Sequence, residues 1–274
     1  MEVTPQDAQF VRDLVLRQAA IRLDGEKDYF IQMRLAQLAD VSGASSIGEL
    51  VNDARRGAPG AEVRIVEALA THETYFFRDL HPFEALRKEV ISRLMKARES
   101  SRQLTIWCAA CSSGQEPYSL AMLLREHFPA LSQWKVCILA TDMSEQILSK
   151  AREGVFTQME VNRGLPAAYL PRYFERTGLN WKLRSGIRDM IEFRRVNLID
   201  AWQMVPTPDV VMLRNVLIYF DLPTKRRILD RVRQQIAADG ALFLGAAETT
   251  LNVAEGWERV ANDKQTYYKI KVNP

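Results

Sequence analysis

The sequence predicts an α/β fold: a doubly wound, mostly parallel sheet, preceded by a small helical domain and carrying a short inserted β subdomain. Three observations predict it. Beyond residue 100 strand-like and helix-like segments alternate, which calls for parallel strands covered on both faces. Residues 5–70 carry only helical patterns. Within the basic stretch 172–195, short segments alternate with period two, as half-buried strands do.

The elements follow in order. Phe10, Val11, Leu14 and Val15 share one helical face, and Tyr29, Phe30, Met33, Leu35 and Leu38 do so less regularly. Ser46 is placed to cap the next helix, with Glu49 three residues on. Arg56–Gly57–Ala58–Pro59–Gly60 breaks the chain before a helix over 62–69. Residues 71–99 read as a linker and a connecting helix over 83–98, after which 100–274 form the larger domain. There, strands are expected at 104–108, 134–141, 210–213 and 241–244, and helices at 115–128, 144–151 and 223–238, with Ser144 capping the second. Trp181–Leu183 and Met190–Val196 are expected as an inserted hairpin, and 257–260 with 266–272 as a closing antiparallel pair.

Composition narrows the function. The 274 residues are 47% hydrophobic and 26% charged, the balance of a globular protein. Apolar runs such as Val210–Leu213 fall far short of the ~20 residues a bilayer needs, so no membrane insertion is expected. The N-terminus has neither a basic start nor an apolar stretch, which predicts a cytoplasmic protein. The net charge of +3 is too small to point to nucleic acid. Its distribution is uneven: residues 1–70 hold 8 basic against 11 acidic residues, and 172–195 hold 7 against 3. The second segment suits an acidic partner, or is simply a solvated face. Cys108 and Cys111 form a W-C-x-x-C, but Ser112–Gly114 prolong the loop before any helix, against redox chemistry. No metal-ligand spacing exists among His72, His81 and His127.

Ligands of doubly wound sheets bind beyond the carboxyl ends of the strands. The first strand runs into six small residues, Ala109–Gly114, which either admit a ligand close to the backbone or make a tight strand-to-helix turn. They match neither glycine-rich phosphate motif, and suit a nucleoside with a small charged tail. Asp142 ends the second strand, where a carboxylate accepts hydrogen bonds from both ribose hydroxyls; the competing role of helix cap is filled by Ser144. Glu116 either satisfies helix N–H groups or faces the ligand. Asn197 reads an adenine edge or closes a turn. Arg214–Asn215 brings polar groups to the mouth, with Tyr219 beside them to exclude water.

The segments THETYFFRD, CSSGQEPYSLA, LATD, VNL and RNVLIYF, in that order, resemble the chemotaxis receptor methyltransferases, the CheR family. The resemblance covers nearly the whole chain. It implies a Rossmann-like, S-adenosylmethionine-dependent methyltransferase sheet, with S-adenosylhomocysteine as product. The implied reaction, which serves chemotactic adaptation, is esterification of glutamate side chains on the cytoplasmic helices of methyl-accepting receptors. The implied cofactor residues are Thr74, Arg78, Glu116, Asp142, Asn197, Leu198, Asn215 and Val216. Arg78 falls at the reacting end, and Tyr219 is assigned to closing the site. His72 stands where the family usually has Asn, and is counted with the cofactor residues. The N-terminal domain lacks the strongly basic helix often seen in the family: Phe30–Leu38 holds only Arg34, with Lys27 just before it. Receptor docking is therefore expected to lean on Arg55, Arg56 and the β insertion. That insertion, 172–193, looks shorter than in members that bind a tethering peptide, so independence of such a peptide is expected.

Overall fold

Local chemistry sets the helices of the N-terminal part. The computed structural model describes residues 2–23, 28–203, 205–262 and 265–271, so Lys27 lies outside the described residues. Pro5 opens helix α1 (Pro5–Ala19), where the Thr4 hydroxyl accepts the Asp7 N–H at 3.1 Å. The helix buries Ala8, Val11, Leu14, Val15 and Ala19. Helix α2 (Asp28–Ser42) buries the narrow stripe Ile31, Leu35 and Ala39, spaced four apart, and leaves Tyr29 78% exposed. Of the face expected over Tyr29, Phe30, Met33, Leu35 and Leu38, only Leu35 is buried; the four-residue aliphatic spacing sets the packed stripe instead. Helices α3 (Ile47–Arg55) and α4 (Ala61–Leu69) complete the group. Ser46 caps α3 through Glu49 N–H, but the Glu49 carboxylate reaches back to Ser45 at 2.6 Å rather than to Ser46. Residues 1–71 and 219–224 form one compact unit, and 72–218 with 225–274 the other.

The larger unit begins with α5 (His81–Ala85), a π turn (Leu86–Val90) and α6 (Ile91–Ala97) as one run of helix. Strands β1 (Gln103–Ala109) and β2 (Lys135–Asp142) pair in parallel, with Cys108 opposite Ala140. Helix α7 (Gln115–His127) crosses between them, and α8 (Glu145–Glu153) leaves β2 under the Ser144 cap. The insertion follows: β3 (Val155–Thr157), α9 (Gln158–Asn162), α10 (Tyr169–Tyr173), β4 (Phe174–Thr177), β5 (Asn180–Leu183) and α11 (Ser185–Arg188). Then come β6 (Ile191–Arg195), β7 (Val210–Leu213), α12 (Leu222–Gln235), β8 (Ala241–Leu244), β9 (Trp257–Asn262) and β10 (Gln265–Ile270). The main sheet has the order β6-β2-β1-β7-β8-β10-β9, with every pairing parallel except the two made by β10, which runs against β8 and β9. The expected α/β class and doubly wound order hold.

One expectation fails. Residues 191–195 do not belong to the insertion but extend the main sheet beside β2. A parallel strand at a sheet edge is covered on one face only, so it alternates as an antiparallel hairpin would. The insertion's sheet is β3-β5-β4 and starts earlier, at Val155. Phe156, Phe174 and Leu183 anchor it in the core, where Phe76 packs edge-on against Phe156 at 5.0 Å and Phe174 at 5.8 Å.

Candidate active site

Two strained segments meet at the carboxyl ends of the central strands. After β1, Ala110, Ser112 and Gly114 have φ of 57°, 52° and 92°, alternating with ordinary residues. Such alternation turns successive N–H groups toward one side. Cys111 N–H donates to Thr141 carbonyl at 2.9 Å, which continues the β1–β2 ladder into the loop. Ser112 N–H then meets Asp142 Oδ2 at 2.9 Å, while Asp142 Oδ1 accepts Ser144 N–H at 3.1 Å. The strand-tip carboxylate is thus fixed by one N–H on each oxygen, and each oxygen keeps a further acceptor site. Ser144 performs the capping, accepting Ile147 N–H at 3.2 Å. Ser112 Oγ donates to the His72 carbonyl at 3.0 Å, so His72 is drawn to this loop by its backbone.

The second segment is 72–80. Phe77, Asp79 and Leu80 all have positive φ (51°, 64° and 39°). For residues other than Gly, each costs roughly 1–3 kcal/mol and persists only where the surroundings dictate it. Here they do. Phe76 is fully buried, Phe77 lies against Phe83 at 5.1 Å, and Phe77 N–H donates to Ser119 Oγ at 2.9 Å. Tyr75 is half-buried beneath Arg163, whose guanidinium sits 4.3 Å from the ring centroid. These aromatics dock the segment on the larger unit. Thr74 is half-buried, and Arg78 Nη1 donates to the Glu73 carbonyl at 2.7 Å.

Arg214, just past β7, ties this segment to α7. Its side chain is 1% exposed. It donates to Glu116 Oε2 at 2.7 Å, to Asp79 Oδ2 at 2.8 Å and to the Arg78 carbonyl at 2.7 Å. Burial pushes the Glu116 carboxyl above its ordinary value, with the Arg214 charge pulling against that. Burial likewise pushes the Cys108 and Cys111 thiols well up, which leaves them protonated and inert, as small apolar residues.

Other expected residues fall nearby. Asn197 and buried Leu198 follow β6, and Asn197 Oδ1 accepts Ile199 N–H at 3.3 Å, the closed turn that the sequence allowed. Asn215 and Val216 are half-buried beyond β7. Tyr219 ends a 3-10 turn (Leu217–Tyr219) and groups with the helical unit, where its carbonyl accepts Arg22 N–H at 3.5 Å. The structure therefore joins His72, Asp142, Glu116 and Arg78 through Ser112 and Arg214. The sequence reading places Arg214 at the ligand mouth but not its bonds to Glu116 and the 78–79 loop, and it does not single out Asp79.

Comparison with known proteins decides the family. The family described as "CheR methyltransferase, SAM binding domain" matches residues 72–266. The chain belongs to the CheR methyltransferase family. It is 38% identical to chemotaxis protein methyltransferase 1 of Pseudomonas aeruginosa, over 99% of this chain and 100% of the relative. It is 36% identical to chemotaxis protein methyltransferase Cher2 of Pseudomonas putida, over 97% and 98% of the two chains. Chemotaxis protein methyltransferase 2 of Vibrio cholerae is 33% identical over 97% and 94%.

S-adenosylmethionine is the cofactor of this CheR-family methyltransferase. The donor set fits it. A carboxylate at the tip of β2 suits a ribose diol, and a second carboxylate on α7 suits an ammonium group, whereas a pyrophosphate would meet repulsion from both. No helix among the described residues is long and apolar enough to cross a membrane.

Proposed function

We propose that this chain methylates glutamate side chains of methyl-accepting chemotaxis receptors, producing the glutamyl methyl ester. The single observation that carries the reading is the Arg214 clamp, which fixes the Arg78 loop beside a carboxylate-lined site. The names of the relatives and the five ordered motifs support the same substrate.

Each residue has a stated task. Asp142 takes the ribose, Glu116 the ammonium of the methionine part, and Asn197 with Leu198 border the adenine. Asn215 and Val216 line the far side, with Thr74 and His72 at the near edge. When bound, the cofactor supplies a methyl group on a sulfonium. The acceptor needs no activation, because a glutamate is already an anion at neutral pH. Rate then comes from alignment and from removal of water. Arg78 orients the incoming carboxylate; a tighter ion pair would stabilise the ground state and slow transfer.

Docking does not require a tethering peptide in this reading. The insertion's sheet has only three short strands, and two of its cations are held within the chain: Arg172 pairs with Glu126 at 2.5 Å and Arg176 donates to the Gly178 carbonyl at 3.3 Å. In the helical unit Arg55 pairs with Asp7 at 2.7 Å. The test is transfer of labelled methyl from S-adenosylmethionine to cytoplasmic receptor fragments with and without their C-terminal peptide. Base-labile label on glutamate at equal rates in both fragments is expected. Label in RNA alone, or in no fragment, overturns the reading.

A further inference from the structure

Strands β7 and β8 are parallel neighbours, with Leu213 opposite Leu244, so the loops after them leave the sheet side by side. The first loop carries Asn215, in the left-handed region at φ 57°, a conformation Asn tolerates better than most residues but does not hold by itself. The second carries Glu248, and its carboxylate spans both loops. Oε2 accepts Gly245 N–H at 2.7 Å and Asn215 N–H at 2.8 Å, and Oε1 accepts Ile218 N–H at 3.3 Å. Hydrogen bonds to an ionised acceptor are roughly twice as strong as neutral ones. Glu248 N–H in turn closes its own loop on the Gly245 carbonyl at 2.9 Å.

Gly245 completes the arrangement. A Cβ there would lie 2.5 Å from Asn215 Nδ2, 2.8 Å from Asn215 N and 2.8 Å from Glu248 Oε2. The Asn215 side chain therefore rests directly on the β8 turn, and any larger residue at 245 would displace it. The Glu248 charge also bears on Glu116, the second carboxylate of the site, where it favours the protonated form.

We propose that Glu248 is a positioning residue of the cofactor site: it clamps the 215–218 loop so that Asn215 is held ready to contact S-adenosylmethionine. The inference rests on the function proposed above. It predicts a loss of cofactor affinity transmitted through Asn215, which a purely structural carboxylate would not produce.

The experiment is calorimetric titration of S-adenosylhomocysteine into the full chain and into Glu248→Ala, Glu248→Gln, Asn215→Ala and the Glu248→Ala/Asn215→Ala double variant, with melting curves for each. Glu248→Ala is expected to weaken binding more than about fivefold, and Glu248→Gln by less, since its amide oxygen still accepts the Gly245 and Asn215 N–H pair. The double variant should bind within about twofold of Asn215→Ala alone, because residues that act as one unit are not additive. Binding by Glu248→Ala within about fivefold of the parent, or losses that multiply in the double variant, would overturn the inference. If the alanine variant does not fold, Glu248→Asp, one methylene short, is read against the same thresholds. Failure of the parent chain to bind S-adenosylhomocysteine would instead count against the proposed function.

Discussion

Replacing Arg214 with Met tests the clamp that organises the site. Met keeps most of the apolar stem and removes the guanidinium. Three acceptors lose a charged donor: Glu116 Oε2, Asp79 Oδ2 and the Arg78 carbonyl. The Glu116 side chain is 12% exposed and Asp79 30%, so water compensates Asp79 but scarcely Glu116. Breaking a buried pair from one side costs about 3–5 kcal/mol. For a unit of this size that lowers the melting temperature by roughly 6–20 °C. The five tryptophans (107, 134, 181, 202 and 257) all lie in the sheet unit, so their fluorescence follows that unit alone. Adding Glu116→Gln to Arg214→Met should restore ~1 kcal/mol or more, because the stranded charge is gone. A melting temperature for Arg214→Met within about 2 °C of the parent, or no recovery in the double variant, refutes the clamp.

Two further outcomes follow from the same geometry. Gly164 has φ 84° and its missing Cβ would lie 2.0 Å from the Phe76 carbonyl, so Gly164→Ala should cost ~2–4 kcal/mol in the fluorescence melt; an unchanged melt would show that the Phe76 segment is not pressed there. Burial raises the Glu116 carboxyl above its ordinary 4.5, so the unfolded chain releases that proton first. This group's contribution is therefore complete below pH 4.5 and is lost as pH rises through the folded value. The stability of Glu116→Gln relative to the parent should accordingly increase with pH across that window in urea titrations, and a decrease would contradict the burial argument.

Much of this was legible in the residues themselves. The central strands and crossover helices follow from apolar runs, and the Ser144 cap and the strand-tip Asp142 stand where sequence order puts them. The strand β6 was visible but misplaced, because a half-covered parallel edge shows the same alternation as a hairpin. Strand β3, of three residues, is too short to give a period. In the site, Asp142 and the small-residue loop announce themselves by position. The partners of Arg214 and Glu248 do not, since they lie across long sequence gaps: Arg214 to Glu116 spans 98 positions and Glu248 to Asn215 spans 33. No local pattern encodes a carboxylate that serves N–H groups on another loop.

The account turns on Asp142, whose two oxygens each hold one backbone N–H and keep a second acceptor site for a sugar. Calorimetry of S-adenosylhomocysteine with the parent chain and with Asp142→Asn addresses it directly. The amide replaces one acceptor with a donor at the same size, and should weaken binding by more than about tenfold, the equivalent of 1.4 kcal/mol. Equal affinity in the two proteins would mean that this carboxylate does not hold the ribose.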